Sequence, residues 1–282
     1  MSRIAYVNGQ YVPHRDAAVS IEDRGLQFAD SIYEVWGVRA GRFLDEAGHM
    51  ARLQRSLGEL RIAMPMSPAA LTVALNETVR RNHVKNGMVY LQITRGVARR
   101  DHAFPVPATP PTIIITAKPQ NVAALEATAA KGSKVITVPE MRWGRCDIKT
   151  TALTPNILAK QAAKEAGASE AWFVDAAGYV TEGSSTNAWI IDQNGDIRTR
   201  PTTDNILNGI TRRTVLRIAE SLQIRVNETP FTVAEAQAAR EAFYTAATAL
   251  VTPVTHIDGV PVGQGAPGPV AQKLRDLYLL SA

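Results

Sequence analysis

The sequence is poor in cysteine, in long apolar runs and in the short motifs that mark the commonest cofactor sites. Cys146 is its single cysteine, which excludes an internal disulfide and points to a reducing compartment. No apolar run approaches the roughly 20 residues that a helix needs to cross a bilayer. Met1-Ser2-Arg3-Ile4-Ala5-Tyr6 leads into a strand-like pattern without an apolar signal segment, so the expectation is a soluble, cytoplasmic protein with no membrane partner. The five histidines lie far apart without metal-ligand spacing, and no metal is expected. No Gly-x-Gly-x-x-Gly directly follows an expected strand, and a Walker loop and a Gly-x-Ser-x-Gly elbow are missing, which removes support for the commonest nucleotide folds and serine hydrolases. Aromatic residues make up only 6% of the chain. Apart from the lone Trp143 between Arg142 and Arg145, none is interleaved with the arginines at Arg95, Arg99 and Arg100, at Arg142 and Arg145, or at Arg212 and Arg213, so the stacking platform that single-stranded nucleic acid requires is absent and no nucleic acid is expected.

What is present is ordinary globular composition: 282 residues, 45% hydrophobic, 20% charged, with a net charge of +5. That length suits two modest domains. The positive balance favours anionic ligands, and scattered arginine pairs suit small phosphates and carboxylates. Asn8-Gly9 turns a hairpin between Ile4-Ala5-Tyr6-Val7 and Tyr11-Val12, and Ala40-Gly41 turns a second within 31–43. Helical spacing follows over 44–60, and Ser67-Pro68 starts another helix. Strands are expected at 88–94 and 112–116. The alanine-rich stretch 118–132 reads as a linker, best placed at 121–132, between a small N-terminal α/β domain (1–120) and a larger C-terminal domain (133–282). In the latter, strands are expected at 134–138, 170–174, 186–191, 196–199, 242–250 and 254–257, with helices at 211–222 and 270–280. The fold class is mixed α/β (α+β).

Three stretches carry chemistry. Lys149 lies between the strand at 134–138 and a helix start at Thr154-Pro155, read as cap residue and first helical position. Cationic neighbours such as Arg142 and Arg145 would favour its neutral amine, the form that acts as nucleophile or proton shuttle. Thr181-Glu182-Gly183-Ser184-Ser185-Thr186-Asn187 joins a carboxylate to a run of hydroxyl donors, able to hold a protonated heteroaromatic nitrogen and an oxyanion. Asn208-Gly209-Ile210-Thr211-Arg212-Arg213 opens a helix whose first amides suit an anion, though an ordinary capped helix would read alike; the amphipathic face that follows and the missing partner helix argue against a basic recognition helix. Arg100 and His102, two apart in a loop, could converge on a carboxylate.

In order and spacing, Arg142-Trp143-x-Arg145-Cys146-Asp147-Ile148-Lys149, Thr181-Glu182-Gly183-Ser184-Ser185-x-Asn187 and Gly209-Ile210-Thr211-Arg212 resemble the pyridoxal-phosphate aminotransferases of fold type IV. The similarity runs from Glu22-Asp23-Arg24-Gly25 to Thr252-Pro253-Val254. Tyr33-Glu34-Val35 and Arg95-Gly96…Arg100-x-His102-x-Phe104-Pro105 resemble the D-amino-acid aminotransferase branch. The resemblance implies a two-domain homodimer, the larger domain built on a barrel-like sheet, with pyridoxal 5'-phosphate as cofactor and amino acids and 2-oxo acids as substrates. Lys149 would bind the cofactor covalently and move the proton between the substrate α-carbon and cofactor C4′. Glu182 would pair with the pyridine nitrogen, and Leu207 would pack on the ring. Arg52 and the amides of Ile210 and Thr211 would bind the phosphate, with Ser185 and Thr248 also among the cofactor-binding residues. Tyr33, Arg100 and His102 would clamp the substrate carboxylate, the last two reaching in from a neighbouring subunit. One departure is Ala247, where relatives carry a threonine for the phosphate; Thr248 stands beside it. The alternatives on the same fold are a branched-chain L-amino-acid aminotransferase, an (R)-amine transaminase and an aminodeoxychorismate lyase. An alternative of another class is a non-catalytic anion- or DNA-binding protein using Thr211 to Arg217.

Overall fold

Asn8-Gly9 turns strand β1 (Ile4–Val7) into β2 (Gln10–Pro13), and alternating side chains continue through the strands that follow. The structure is a computed structural model and describes residues 3–203 and 205–281. Met1 and Ser2, the first residues of the N-terminal stretch read above, therefore lie outside the described residues. The chain divides into two units, Met1–Val122 with Ile148–Ala152, and Ala123–Asp147 with Leu153–Ala282.

The first unit adds helix α1 (Arg24–Phe28), β3 (Ser31–Arg39), β4 (Arg42–Phe43), α2 (Glu46–Glu59), α3 (Pro68–Arg81), β5 (Gly87–Thr94) and β6 (Thr112–Pro119). Its sheet runs β2-β1-β6-β5-β3-β4, every neighbouring pair antiparallel. Strand alternation sends Ile32, Trp36, Val89, Leu91, Ile93, Ile113 and Ile115 to one face, where they are buried in one core with Leu53 and Leu57 of α2 and Leu71, Leu75 and Val79 of α3. Each such side chain contributes about 1.5–3 kcal/mol. Ser67 caps α3 as its sequence predicts, its hydroxyl accepting from Ala70 N at 3.2 Å. The other face carries the half-buried Tyr33, Val35, Tyr90 and Gln92.

Ile148–Ala152 belongs to this unit although the expected boundary placed it in 133–282. Tyr33 N donates to Lys149 O at 2.9 Å, Thr151 N donates to Ser31 O at 3.2 Å, and Ile148 is buried in the core. Lys149 is thus fixed by backbone pairing to β3 and is not carried on a free link.

The second unit contains α4 (Val122–Lys131), β7 (Ser133–Pro139), α5 (Thr154–Glu165), β8 (Glu170–Val174), β9 (Val180–Gly183), β10 (Asn187–Ile191), β11 (Ile197–Thr199), α6 (Ile210–Ser221), β12 (Val226–Asn227), α7 (Val233–Gln237), β13 (Glu241–Ala246), β14 (Leu250–Ile257), β15 (Val260–Pro261) and α8 (Pro269–Ser281). The nine-stranded sheet follows the path β12-β11-β10-β13-β14-β7-β8-β9, with β15 on β14. Parallel β7 and β8 enclose α5 as a crossover unit, and Ala171, Trp172 and Phe173 of β8 are buried. β9 ends the path and β10 lies near its other end, yet a short turn joins them, Gly183 N donating to Thr186 O at 2.7 Å. The sheet therefore curls back towards itself.

Three expectations change. The stretch 121–132, read as a linker, holds α4. α5 is capped by Leu153, whose carbonyl accepts from Ile157 N at 2.9 Å, so Thr154 is its first helical residue and not its cap. The strand expected over 242–250 is two strands, because residues 247–249 turn between β13 and β14.

Candidate active site

Lys149 is half-buried, and its Nζ lies 4.1 Å from the centroid of the Tyr33 ring. Among the described residues its ammonium pairs with no carboxylate. Tyr33 stacks on Tyr90 with centroids 5.7 Å apart, and the Tyr90 hydroxyl donates to Gln92 Oε1 at 2.8 Å. Burial, then the neighbouring Tyr33, pushes the Tyr90 hydroxyl up to about 12, so it stays protonated.

Arg52 comes from α2 and is 8% exposed. Its Nε donates to Glu34 Oε1 at 2.6 Å and its Nη2 to Glu34 Oε2 at 2.8 Å, a two-pronged pair on a fully buried carboxylate. His49, one turn earlier, places Nδ1 2.8 Å from Glu34 Oε2; an ionised carboxylate only accepts, so Nδ1 carries the proton. Burial lowers the pKa of His49 in spite of Glu34, with Arg52 and Lys149 adding to the effect, and the ring is neutral. Burial opposes ionisation of Glu34, but Arg52 and then His49 overcome it and draw its pKa down to about 2. Strand alternation makes this group readable: Ile32-x-Glu34-x-Trp36 puts a carboxylate on the core face, and a buried carboxylate demands a cation.

Arg100 and His102 stand exposed on the loop after β5, the Arg100 guanidinium 4.6 Å from the Phe28 ring centroid and the His102 ring 5.5 Å from it. No hydrogen bond or ring contact joins either to Tyr33 among the described residues.

The second unit assembles its own group. Glu182, buried on β9, accepts from Asn187 Nδ2 at 3.0 Å and from Leu207 N at 3.1 Å, and pairs with Arg142 Nη1. Asn187 also donates to Leu207 O at 2.9 Å, tying β10 to the loop before α6. A Cβ on Gly209 would come within 2.1 Å of Asn187 Oδ1, so only glycine fits at this approach. Gly209 is the N-cap of α6 and supplies no side-chain cap, leaving the first amides of α6 for an outside acceptor. At the same place Thr211 is 2% exposed and its hydroxyl is buried without a partner. Leu207 is half-buried, as is Thr248 in the turn between β13 and β14. Ser185 is exposed and donates to Glu170 Oε2 at 3.1 Å.

The arginines expected as free cations near Lys149 are paired with carboxylates. Arg142 Nη2 lies 2.7 Å from Glu140 Oε2, and Arg145 Nε lies 2.9 Å from Asp147 Oδ1. Burial works against the charge of Arg142, but Glu182 and Glu140 outweigh it and raise its pKa. The spacings Glu140-x-Arg142 and Arg145-x-Asp147 were the available signal. Of the arginines on α6, Arg212 is buried with its Nη2 2.7 Å from Glu228 Oε2, while Arg213 and Arg217 are exposed. Among the described residues no group of acidic, histidine or cysteine side chains could hold a metal ion, and no helix is long and apolar enough to cross a membrane.

Residues 31–257 match the family model described as amino-transferase class IV. The chain is 41% identical to a D-alanine aminotransferase of Bacillus licheniformis over 95% of this chain and 93% of that protein. It is 39% identical to a D-alanine aminotransferase of Listeria monocytogenes over 97% and 94%. Among solved structures it is similar to a T.th. branched-chain amino acid aminotransferase with pyridoxamine 5'-phosphate, at TM-score 0.89 and 30% identity over 99% of this chain and 93% of that one.

A phosphorylated pyridine aldehyde needs an amine, an acceptor for a ring N–H, and a desolvated anion site. In the first unit the amine of Lys149 suits the aldehyde; in the second the fixed carboxylate of Glu182 and the uncapped α6 amides with the orphaned Thr211 hydroxyl suit the ring N–H and the phosphate, so the residues of each unit fit their part of the group.

Proposed function

The chain belongs to the amino-transferase class IV family, and from that premise we propose a pyridoxal-phosphate-dependent, ping-pong transamination between a D-amino acid, such as D-alanine or D-glutamate, and a 2-oxo acid. The observation that carries this reading is the uncapped start of α6, with the buried, unpartnered Thr211 hydroxyl beside a carboxylate fixed by Asn187 and Leu207. The preference for D-amino acids is supported by the two D-alanine aminotransferases.

Bound pyridoxal phosphate supplies an electron sink conjugated to the substrate α-carbon. Lys149 would anchor the cofactor covalently and, once the substrate amine has displaced it, its freed amine would move the proton between the substrate α-carbon and C4′. Glu182 holds a proton at the ring nitrogen, its own orientation set by Arg142 and Asn187. Arg52 and the amides of Ile210 and Thr211 bind the phosphate, with Ser185 and Thr248 as further donors, and Leu207 covers the ring. Glu34 and His49 keep the Arg52 fork in one orientation. Tyr33, Arg100 and His102 bind the substrate carboxylate.

The protein acts as a cytoplasmic homodimer in which Arg100 and His102 serve the neighbouring subunit. Support comes from the exposed Val19, Ile21, Leu26, Val97, Phe104 and Val106, which cluster on two segments joined by the bridge from Asp23 to Val97. Exposed large apolar side chains grouped on adjoining segments in this way are typical of an interface. A branched-chain L-amino-acid aminotransferase is the second reading, favoured by the similarity to the solved branched-chain enzyme. Borohydride reduction of the loaded protein followed by peptide mapping tests the anchor: the adduct is expected on Lys149, and an adduct on another lysine overturns the assignment. Light scattering is expected to give about twice the 30.5 kDa chain mass.

A further inference from the structure

Glu22-Asp23-Arg24-Gly25 has no role in the reaction described so far, yet it is built into the fold with unusual care. Asp23 caps α1, its Oδ1 accepting from Gly25 N at 2.8 Å while Oδ2 accepts from the Thr94 hydroxyl at 3.0 Å. A Cβ on Gly25 would come within 2.4 Å of the Thr94 side chain, so α1 can press against β5 only with glycine there. This contact sets Arg24, which is 4% exposed. The Arg24 Nε donates to Asp30 Oδ2 at 2.8 Å. Its remaining nitrogens reach three successive carbonyls of the loop after β5: Nη1 donates to Asp101 O at 2.6 Å and to Ala103 O at 3.2 Å, and Nη2 donates to His102 O at 3.3 Å.

Asp30 holds a second arginine. Arg95 donates to it through Nε at 2.7 Å and Nη2 at 2.9 Å. The Arg95 guanidinium carbon also lies 3.6 Å from the centroid of the Phe104 ring, while Arg61 lies 4.9 Å from that centroid. A loop with no regular hydrogen bonding of its own is therefore gripped along its backbone by Arg24 and at Phe104 by Arg95. One carboxylate serves both grips. The side chain of Arg100, just before the gripped carbonyls, and that of His102, among them, remain exposed.

We propose that Arg24, Asp30, Arg95 and Phe104 form a positioning device that sets Arg100 and His102 for the α-carboxylate shared by the amino-acid and 2-oxo-acid substrates. This rests on the reading of Arg100 and His102 as the carboxylate clamp. Arg24 touches no substrate and acts through the loop it holds. The arrangement needs a fork, since only a planar guanidinium can meet Asp30 and three carbonyls together, and a lysine would keep the charge without the reach. A displaced clamp weakens capture of both carboxylate substrates and leaves the cofactor's own site intact.

The test compares Arg24→Lys, Phe104→Leu and Arg100→Gln in the holoenzyme, with amide hydrogen exchange of the same variants free of cofactor. Arg24→Lys and Phe104→Leu are expected to raise the concentration of D-alanine and of 2-oxo acid that half-saturates each half-reaction by about tenfold. The limiting rate and cofactor affinity should stay within about threefold of wild type, and exchange over 100–104 should accelerate. Arg100→Gln is expected to raise the same half-saturation values without changing exchange. If Arg100→Gln weakens capture but neither positioning variant does, the positioning role is overturned and the clamp stands. If Arg100→Gln has no effect, the clamp reading itself is wrong. Should Arg24→Lys fail to fold, Phe104→Leu alone decides, because Phe104 is 43% exposed and lies outside the core.

Discussion

Replacing Glu34 by Gln removes one charge, keeps the side-chain shape, and is read directly by stability. In the folded chain Glu34 is buried and receives Arg52 Nε, Arg52 Nη2 and His49 Nδ1. Burial alone would raise its pKa, but Arg52 draws it from 4.5 to about 2. That shift corresponds to about 3 kcal/mol at neutral pH, in keeping with the roughly 3–5 kcal/mol lost when one partner of a buried pair is removed. The folded-state value lies below the unfolded one, so the contribution is complete above 4.5 and is lost as the pH falls towards 2. Urea unfolding at pH 7 should show Glu34→Gln with a midpoint lower by about 1–3 M, given m-values of about 1–3 kcal/mol/M. The gap between the two proteins should narrow below pH 4.5. A variant within about 0.5 kcal/mol of wild type at pH 7 would refute the claim that this carboxylate balances Arg52.

Thr211→Val removes a hydroxyl that is buried without a partner. Cofactor-free stability should hold or rise slightly, while affinity for pyridoxal phosphate falls by about 0.5–1.5 kcal/mol, as fluorescence titration can measure. Lys149→Ala should still bind the cofactor non-covalently but lose at least about 10²–10⁴-fold in turnover, measured by single-turnover absorbance. Burial is the main cause that pushes the Cys146 thiol up to about 11; a thiol-disulfide reagent at pH 8 should therefore label the native protein far more slowly than the urea-unfolded one.

Structure is legible in this sequence where the chemistry that sets it is local. Ser67-Pro68 announced α3, and Asn8-Gly9 and Ala40-Gly41 announced turns, because side-chain capping and positive-φ residues act within a few positions. Thr232 with Glu235 forms a complete capping box for α7, a signal equally local and present in the sequence. The turn at 247–249 gave no warning: Ala247, Thr248 and Ala249 include no glycine, proline or asparagine, and the strain falls on Leu250 at φ 58°. The alanine-rich run holding α4 was ambiguous because alanine favours helix, while only Ala129 of that helix is buried and no apolar stripe marks it. The chemistry-bearing stretches were legible as motifs. Their partners were not, because Tyr33 with Lys149, Glu182 with Leu207, and Arg24 with His102 are joined across long stretches of chain.

The central claim, that this chain transaminates D-amino acids through Lys149 and pyridoxal phosphate, is tested most directly by the visible spectrum of the loaded protein, followed as D-alanine and L-leucine are added in separate cuvettes. The account predicts a yellow protein that D-alanine bleaches to the pyridoxamine form and L-leucine leaves unchanged. Bleaching by L-leucine alone would contradict the D-amino-acid assignment, and a protein that stays colourless with added pyridoxal phosphate would contradict the site itself.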